Sequence, residues 1–271
     1  MKDNFACLMF LVFLVAAMNT QAQEPSIAPY QVYGEKDGMA MYYDVVVPAE
    51  SNGHGIILLV SGGWLSGDDN LNMIRPFWEV LLHRGYTLFQ LYHPGMPTYK
   101  IPEAFEGVEA GVRHILENAG QYGIEEQKLG LIGVSSGGHL ALLAAYTIED
   151  DETEFRLSTV VALMPPTDLE GGEFDVMLFG ASPMDFDPAL IPSLSPIEQV
   201  DPDDPPTLLI HGRNDEAVNY ERNSVRLLEV LQNANVPSKL VSVDAGHEIY
   251  PQPIMSDVQN EFLTWFDTYL Q

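Results

Sequence analysis

The sequence predicts an α/β fold: a mostly parallel central sheet with helices on both faces. Three observations carry this. Short apolar runs such as GIILLV (55–60) read as strands buried on both faces. Such runs alternate, from residue 55 to the end, with segments whose apolar residues recur at helical spacing, which implies crossover helices and parallel pairing. And 271 residues at 46% hydrophobic supply enough material for one large core.

The start of the chain is set apart. FACLMFLVFLVAAM (5–18) is an unbroken apolar run, shorter than the about 20 residues a bilayer span needs. Small residues follow, so residues 1–22 read as a secretory signal cleaved after Ala22. That leaves one domain over 23–271 in a secreted or periplasmic protein, with no stable membrane insertion of the mature chain. An uncleaved anchor is the alternative. Cys7, the one cysteine, lies inside this segment, so the mature chain has neither disulfide nor thiolate.

The elements then follow in order. MAMYYDVVVP (39–48) alternates as a strand should, with QVYG (31–34) as a hairpin partner. GIILLV is the next strand, SGGWLSGDDN (61–70) a loop, and RPFWEVLLHRG (75–85) a helix stopped by Gly85. YTLFQLY (86–92) is a strand. Phe105, Val108, Val112, Ile115 and Leu116 mark a helix over 102–119. Strand 128–134 leads into helix 138–147, and STVVALM (158–164) is a further strand. Residues 165–205, rich in Pro, Met, Phe, Asp and Gly, form an insert, either a flap over a site or a surface loop. Strand 207–212, a helix near 220–233, strand 239–244 and a helix carrying Ile254, Val258, Phe262, Trp265 and Phe266 close the chain.

Formal net charge is −27, and loss of residues 1–22 leaves it unchanged because Lys2 and Asp3 cancel. Such a surface repels phosphate backbones, which excludes nucleic acid as a partner class. EDDETE (149–154) and DPDD (201–204) lack the glycine and ligand spacing of a calcium loop and read as solvated loops. No metal or organic cofactor is expected.

The chemistry concentrates in KLGLIGVSSGGHLALLAAY (128–146). Gly133-Val134-Ser135-Ser136-Gly137 fits G-x-S-x-G between a strand and a helix. There a serine caps a strained turn, and glycines stand where side chains would collide. A Gly-rich phosphate loop is the alternative, but no Lys-Ser/Thr pair follows and the G-x-G-x-x-G spacing is absent. A serine hydroxyl needs a base, and the base an orienting acid, in the chain order Ser, Asp or Glu, His. Asp215 follows strand 207–212, and His247 follows strand 239–244, so both fall on the sheet edge that carries Ser135. Asp168 is the rival acid; Glu216 and Asp244 are less well placed. His139 and His211 read as packing residues, and His54, His83 and His114 precede the serine. An oxyanion takes one amide from Ser136 and a second from the loop after strand 55–60, where Gly63 and Trp64 are the candidates. Trp64, His93, Pro165 and Pro166 are the expected pocket residues.

SGGWLSG, IPEAFEGVEAGVRHI, KLGLIGVSSGGHLALLAA, ALMPPTDL, DPDDPPTLLIHGRNDEAV and DAGHEI together resemble the α/β-hydrolase superfamily. The resemblance covers about residues 40–270 and is to the esterase/lipase branch that includes feruloyl- and acetylxylan-esterase-like proteins and shades into prolyl-oligopeptidase-like hydrolases. It implies nucleophile, acid and base at Ser135, Asp215 and His247. It departs at Val60-Ser61-Gly62-Gly63-Trp64, where many relatives read His-Gly-Gly-Gly-Trp. The implied substrates are small or polysaccharide-linked esters of acetyl, aryl or feruloyl type. A peptidase using the same triad, and a binding protein that lost catalysis, are the other two expectations.

Overall fold

The structure is a computed structural model describing residues 24–59, 61–125, 128–148, 157–178, 180–248 and 251–270. The expected signal segment (1–22), Cys7, Val60 and the acidic run EDDETE lie outside the described residues.

Eight strands form one sheet in the order β1-β2-β4-β3-β5-β6-β7-β8. They are β1 (Ser26–Lys36), β2 (Met39–Val47), β3 (Gly55–Leu59), β4 (Thr87–Leu91), β5 (Leu129–Val134), β6 (Thr159–Leu163), β7 (Thr207–Gly212) and β8 (Ser238–Val243). The pairings β1–β2 and β2–β4 are antiparallel and all others are parallel. β3, β5, β6 and β7 are buried along their whole length, as wholly apolar runs demand when helices cover both faces. Side chains alternate between two cores. Ile57, Leu59 and Leu131 join the core under α2 (Ile101–Asn118), α3 (Ser136–Thr147) and α4 (Arg226–Asn233). Ile56, Leu58 and Ile132 join the core under α1 (Asp68–His83) and α5 (Ile254–Tyr269). Among the described residues no helix is long and apolar enough to cross a membrane.

Three boundaries differ from expectation. α1 begins at Asp68 rather than Arg75, because DDNLNM shows no clear apolar stripe to announce its first turns. β1 extends well beyond QVYG; register shifts after Ala28 and Val32 break the two-residue period that would have revealed it. α3 starts at Ser136, directly after the strained serine, rather than at Gly138. The insert of 165–205 is built from tight turns, three of which open on a proline: Pro188–Leu190, Pro192–Leu194 and Pro196–Glu198. Leu169, Phe174, Leu194 and Ile197 are buried, so this segment is packed on the domain.

Candidate active site

The turn between β5 and α3 is tight. Ser135 adopts φ 54°, ψ −123°, a region costly for a residue with a side chain. The positions two residues to either side of it must be glycine. A Cβ on Gly133 would lie 2.2 Å from the Gly137 carbonyl oxygen, and one on Gly137 would lie 2.6 Å from that of Leu59. Two backbone bonds hold the turn: Ser135 N–H donates to Leu163 O at 2.7 Å, and His139 N–H to Ser135 O at 3.0 Å.

Parallel pairing brings the loops after β7 and β8 to the same rim. Ser135 Oγ lies 3.0 Å from His247 Nε2, and His247 Nδ1 lies 2.7 Å from Asp215 Oδ2. The carboxylate can only accept, so the proton sits on Nδ1, and Nε2 is left to accept from the serine hydroxyl. Amides of Ala217 (2.8 Å) and Val218 (2.9 Å) donate to the other oxygen of Asp215. Burial opposes charge on Asp215. Hydrogen bonds from His211, His247 and the Val218 amide outweigh it and hold the carboxyl well below the usual range. The arrangement can therefore draw a proton from Ser135 while a fixed negative charge steadies the imidazole.

His211, read from sequence as a packing residue, touches this acid. Its buried Nε2–H donates to Asp215 Oδ2 (3.2 Å) and to Val218 O (3.1 Å), while Ser224 Oγ–H donates to Nδ1 at 2.6 Å. Its place directly before Gly212, at the end of the strand leading to Asp215, was the available signal. Asp168 is engaged elsewhere, by Arg226 and Arg222. His114 bonds Tyr43 within the core.

The oxyanion candidates separate. Ser136 N–H opens α3 and has no helical carbonyl one turn back to accept it. Trp64 N–H is spent: it donates to Ser136 Oγ at 2.9 Å, and Ser136 Oγ also meets Ser61 Oγ at 3.0 Å. That corrects the expectation for the Trp64 amide. Gly63 N–H has no acceptor among the described residues and remains the second candidate. The insert reaches this loop, with a Leu178 methyl 3.1 Å from where a Cβ on Gly63 would sit.

Three of the expected pocket positions are corrected as well. The Trp64 indole is 3% exposed and lies edge-on to His139 and Phe174. Its Nε1–H donates to His139 Nδ1 (3.3 Å), and His139 Nε2–H to Leu194 O (2.8 Å). Burial pushes His139 down to about 4, so this pair is a neutral joint within the core rather than a pocket wall. Pro165 and Pro166 are buried too, and Pro165 packs under Gly138. His93 lines a cavity of about 250 Å3 on the same rim. Among the described residues, no group of three or more His, Cys, Asp or Glu is placed to hold a metal ion.

The chain is similar in sequence and fold to known proteins. A family model described as BD-FAE matches residues 43–231. Esterase LipC of Mycobacterium tuberculosis (strain ATCC 25618 / H37Rv) is 23% identical over 211 residues, 71% of this chain and 52% of the relative. Arylacetamide deacetylase of Bos taurus is 26% identical over 133 residues, 45% of this chain and 31% of the relative. The chain thus spans about half or less of the length of these relatives. A truncated form of a carbohydrate esterase from gut microbiota superposes with TM-score 0.72 at 22% identity, over 91% of this chain and 98% of that one. Esterase B from Lactobacillus rhamnosis (HN001) superposes with TM-score 0.72 at 22% identity, over 92% and 87%. With these structures the chain shares the α/β-hydrolase fold.

Proposed function

The chain belongs to the BD-FAE family, within the α/β-hydrolase superfamily, and from that premise we propose that it is an exported serine hydrolase of carboxylic esters. The observation that carries the reading is the unbroken hydrogen-bond path from Ser135 through His247 to Asp215. Ser135 Oγ attacks the ester carbonyl carbon as His247 Nε2 takes the hydroxyl proton. The tetrahedral oxyanion is met by the amides of Ser136 and Gly63, where loss of one donor typically costs about 3 kcal/mol of transition-state stabilisation. The C–O bond to the leaving alcohol breaks as His247 returns the proton to it. Water, deprotonated by the same imidazole, then releases the acid and restores Ser135. Asp215 keeps the imidazole in the working tautomer throughout.

The substrate class is acetyl, aryl or feruloyl esters, free or on polysaccharide. One protein of similar fold is a carbohydrate esterase from gut microbiota and another a bifunctional GH43-CE protein of Bacteroides eggerthii, which favours the polysaccharide-linked case. The test is p-nitrophenyl acetate turnover by wild type and by Ser135→Ala. Loss of turnover in the variant is expected, and equal rates refute the role of Ser135. Export is tested separately: the intact mass of secreted protein should lack residues 1–22, and retention of that segment sinks the cleaved-signal reading.

A further inference from the structure

The loop that carries Gly63 is held in a costly shape. Gly62 and Leu65 exchange both backbone hydrogen bonds, at 3.0 and 3.1 Å, so Gly63 and Trp64 are the two central residues of a tight reverse turn. Both have positive φ, 58° for Gly63 and 56° for Trp64. Glycine adopts that region freely. A bulky aromatic residue is an outlier there and persists only where its surroundings enforce the conformation.

Three hydrogen bonds enforce it, and all of them run through Trp64. Its carbonyl accepts from Met96 N–H at 2.9 Å, on the loop after β4. Its indole Nε1–H donates to His139 Nδ1 at 3.3 Å. Its amide N–H donates to Ser136 Oγ at 2.9 Å. The last two partners stand three residues apart on the first turn of α3, on one face of the helix that follows the nucleophile. Trp64 and Ser136 are 3% and 1% exposed, so the amide has no water to turn to if the hydroxyl is lost.

The Ser136 hydroxyl is itself fixed. A hydroxyl that accepts one bond still has a proton and a lone pair to place. Ser61 Oγ meets it at 3.0 Å. Sheet register brings the two serines together. Leu59 on β3 pairs with Gly133 on β5, so Ser61 and Ser135 each stand two residues beyond a matched position on adjacent strands. Ser136 therefore offers two groups to the site. Its N–H is one oxyanion donor, and its Oγ, through Trp64, holds the turn that presents the other, Gly63 N–H.

We propose that Ser136 acts through its hydroxyl as a positioning residue of the ester hydrolase: steadied by Ser61, it locks the Gly63–Trp64 turn and so fixes both oxyanion donors before substrate arrives. The inference rests on the esterase reading above. Donors that are already in place need no rearrangement at the moment of reaction, so their benefit falls on the transition state and not on ground-state binding. Ser136→Ala removes the tie while both donor amides remain in the chain.

The test pairs substrate with an oxyanion mimic. An aryl trifluoromethyl ketone serves: Ser135 Oγ adds to its carbonyl carbon, His247 takes the hydroxyl proton, and the carbonyl oxygen becomes the oxyanion. The alcohol made by reducing that ketone has the same skeleton and forms no adduct. Ser136→Ala should lower kcat/KM on p-nitrophenyl acetate by about tenfold, less than the about 10²-fold of an abolished donor. Ki of the ketone should rise by the same factor, and Ki of the alcohol should stay within about twofold. A merely structural role would lower Tm without splitting ketone from alcohol. Ser61→Ala should lower kcat/KM by about threefold, and the double variant should lose no more than Ser136→Ala alone, because both act through one contact. Unchanged kcat/KM in Ser136→Ala overturns the inference. So does equal weakening of ketone and alcohol, and so do losses that multiply in the double variant. If Ser136→Ala does not fold, Ser61→Ala decides by the same comparison, and an unchanged Ki for the ketone overturns the inference. Undiminished turnover by Ser135→Ala would instead remove the esterase reading itself.

Discussion

Asp168 and Asp215 occupy equivalent places in adjacent units of the fold. Each follows a buried parallel strand, β6 and β7 respectively, and each is nearly inaccessible, at 4% and 8% exposed. Their partners differ. Asp168 meets guanidinium groups, Arg226 Nη1 at 2.7 Å and Arg222 Nη2 at 3.3 Å. Asp215 meets imidazoles, His247 Nδ1 at 2.7 Å and His211 Nε2 at 3.2 Å. A guanidinium never gives up its proton in a protein, so the first pair is a fixed tie between the insert and the segment leading into α4. An imidazole nitrogen can take up a proton and pass it on, so the second pair can take part in chemistry. Burial and loop position do not distinguish the two acids; the identity of the base beside each does.

The largest effect should fall on the acid facing imidazole. Asp215→Asn is expected to lower kcat on p-nitrophenyl acetate by about 10⁴, since an amide donor forces the wrong tautomer on His247. Asp168→Asn should change kcat by less than about threefold, the scale of an indirect effect. Comparable losses in the two variants would erase the distinction. Next comes His211→Phe, which keeps the ring volume and removes one donor to Asp215. A drop in kcat of about tenfold is expected, together with a displaced pH–rate profile, which a purely packing role would not move. Smaller again is the cost of Asp168→Asn to stability, about 1–3 kcal/mol, read as a fall of several degrees in Tm. The smallest effect concerns acid. The folded-state pKa of Asp215 lies below its unfolded value. Its charge therefore contributes stability above about pH 3.9, and that contribution is lost as pH falls through the lower folded value. The difference in stability between wild type and Asp215→Asn, followed by denaturant titration from pH 7 to pH 3, should narrow only below about pH 4. A constant difference across that range would detach Asp215 from the imidazole network.

Much of the site is legible in the sequence because its signals are local. The glycine at 133 is demanded by a backbone contact with Gly137 within one turn, so the pentapeptide announces the turn, although Gly137 itself clears the Leu59 carbonyl on β3. Asp215 and His247 stand directly after strands whose apolar runs are unmistakable. What escapes local reading depends on contacts across the sheet. The Trp64 amide looks free to face an oxyanion until Ser136 Oγ is found 2.9 Å away, seventy-two positions later in the chain. Pro165 and Pro166 follow a strand end, as pocket residues do, yet both are buried and Pro165 packs beneath the helix that starts at Ser136. His211 reads as filler because nothing near it in the chain shows that its ring nitrogen reaches Asp215.

By itself, the sequence determined the alternation of strand and helix, the sharp turn that carries Ser135, and the order of the acid and base behind it. Each is set by periodicity or by steric conflict among close neighbours, which are properties of short stretches of chain. Only the tertiary structure decided which aspartate meets an imidazole, which early-loop amide stays uncommitted, and which hydroxyl claims the other. Those are questions of who pairs with whom across parallel strands, where a hydrogen bond joins residues that no local pattern connects.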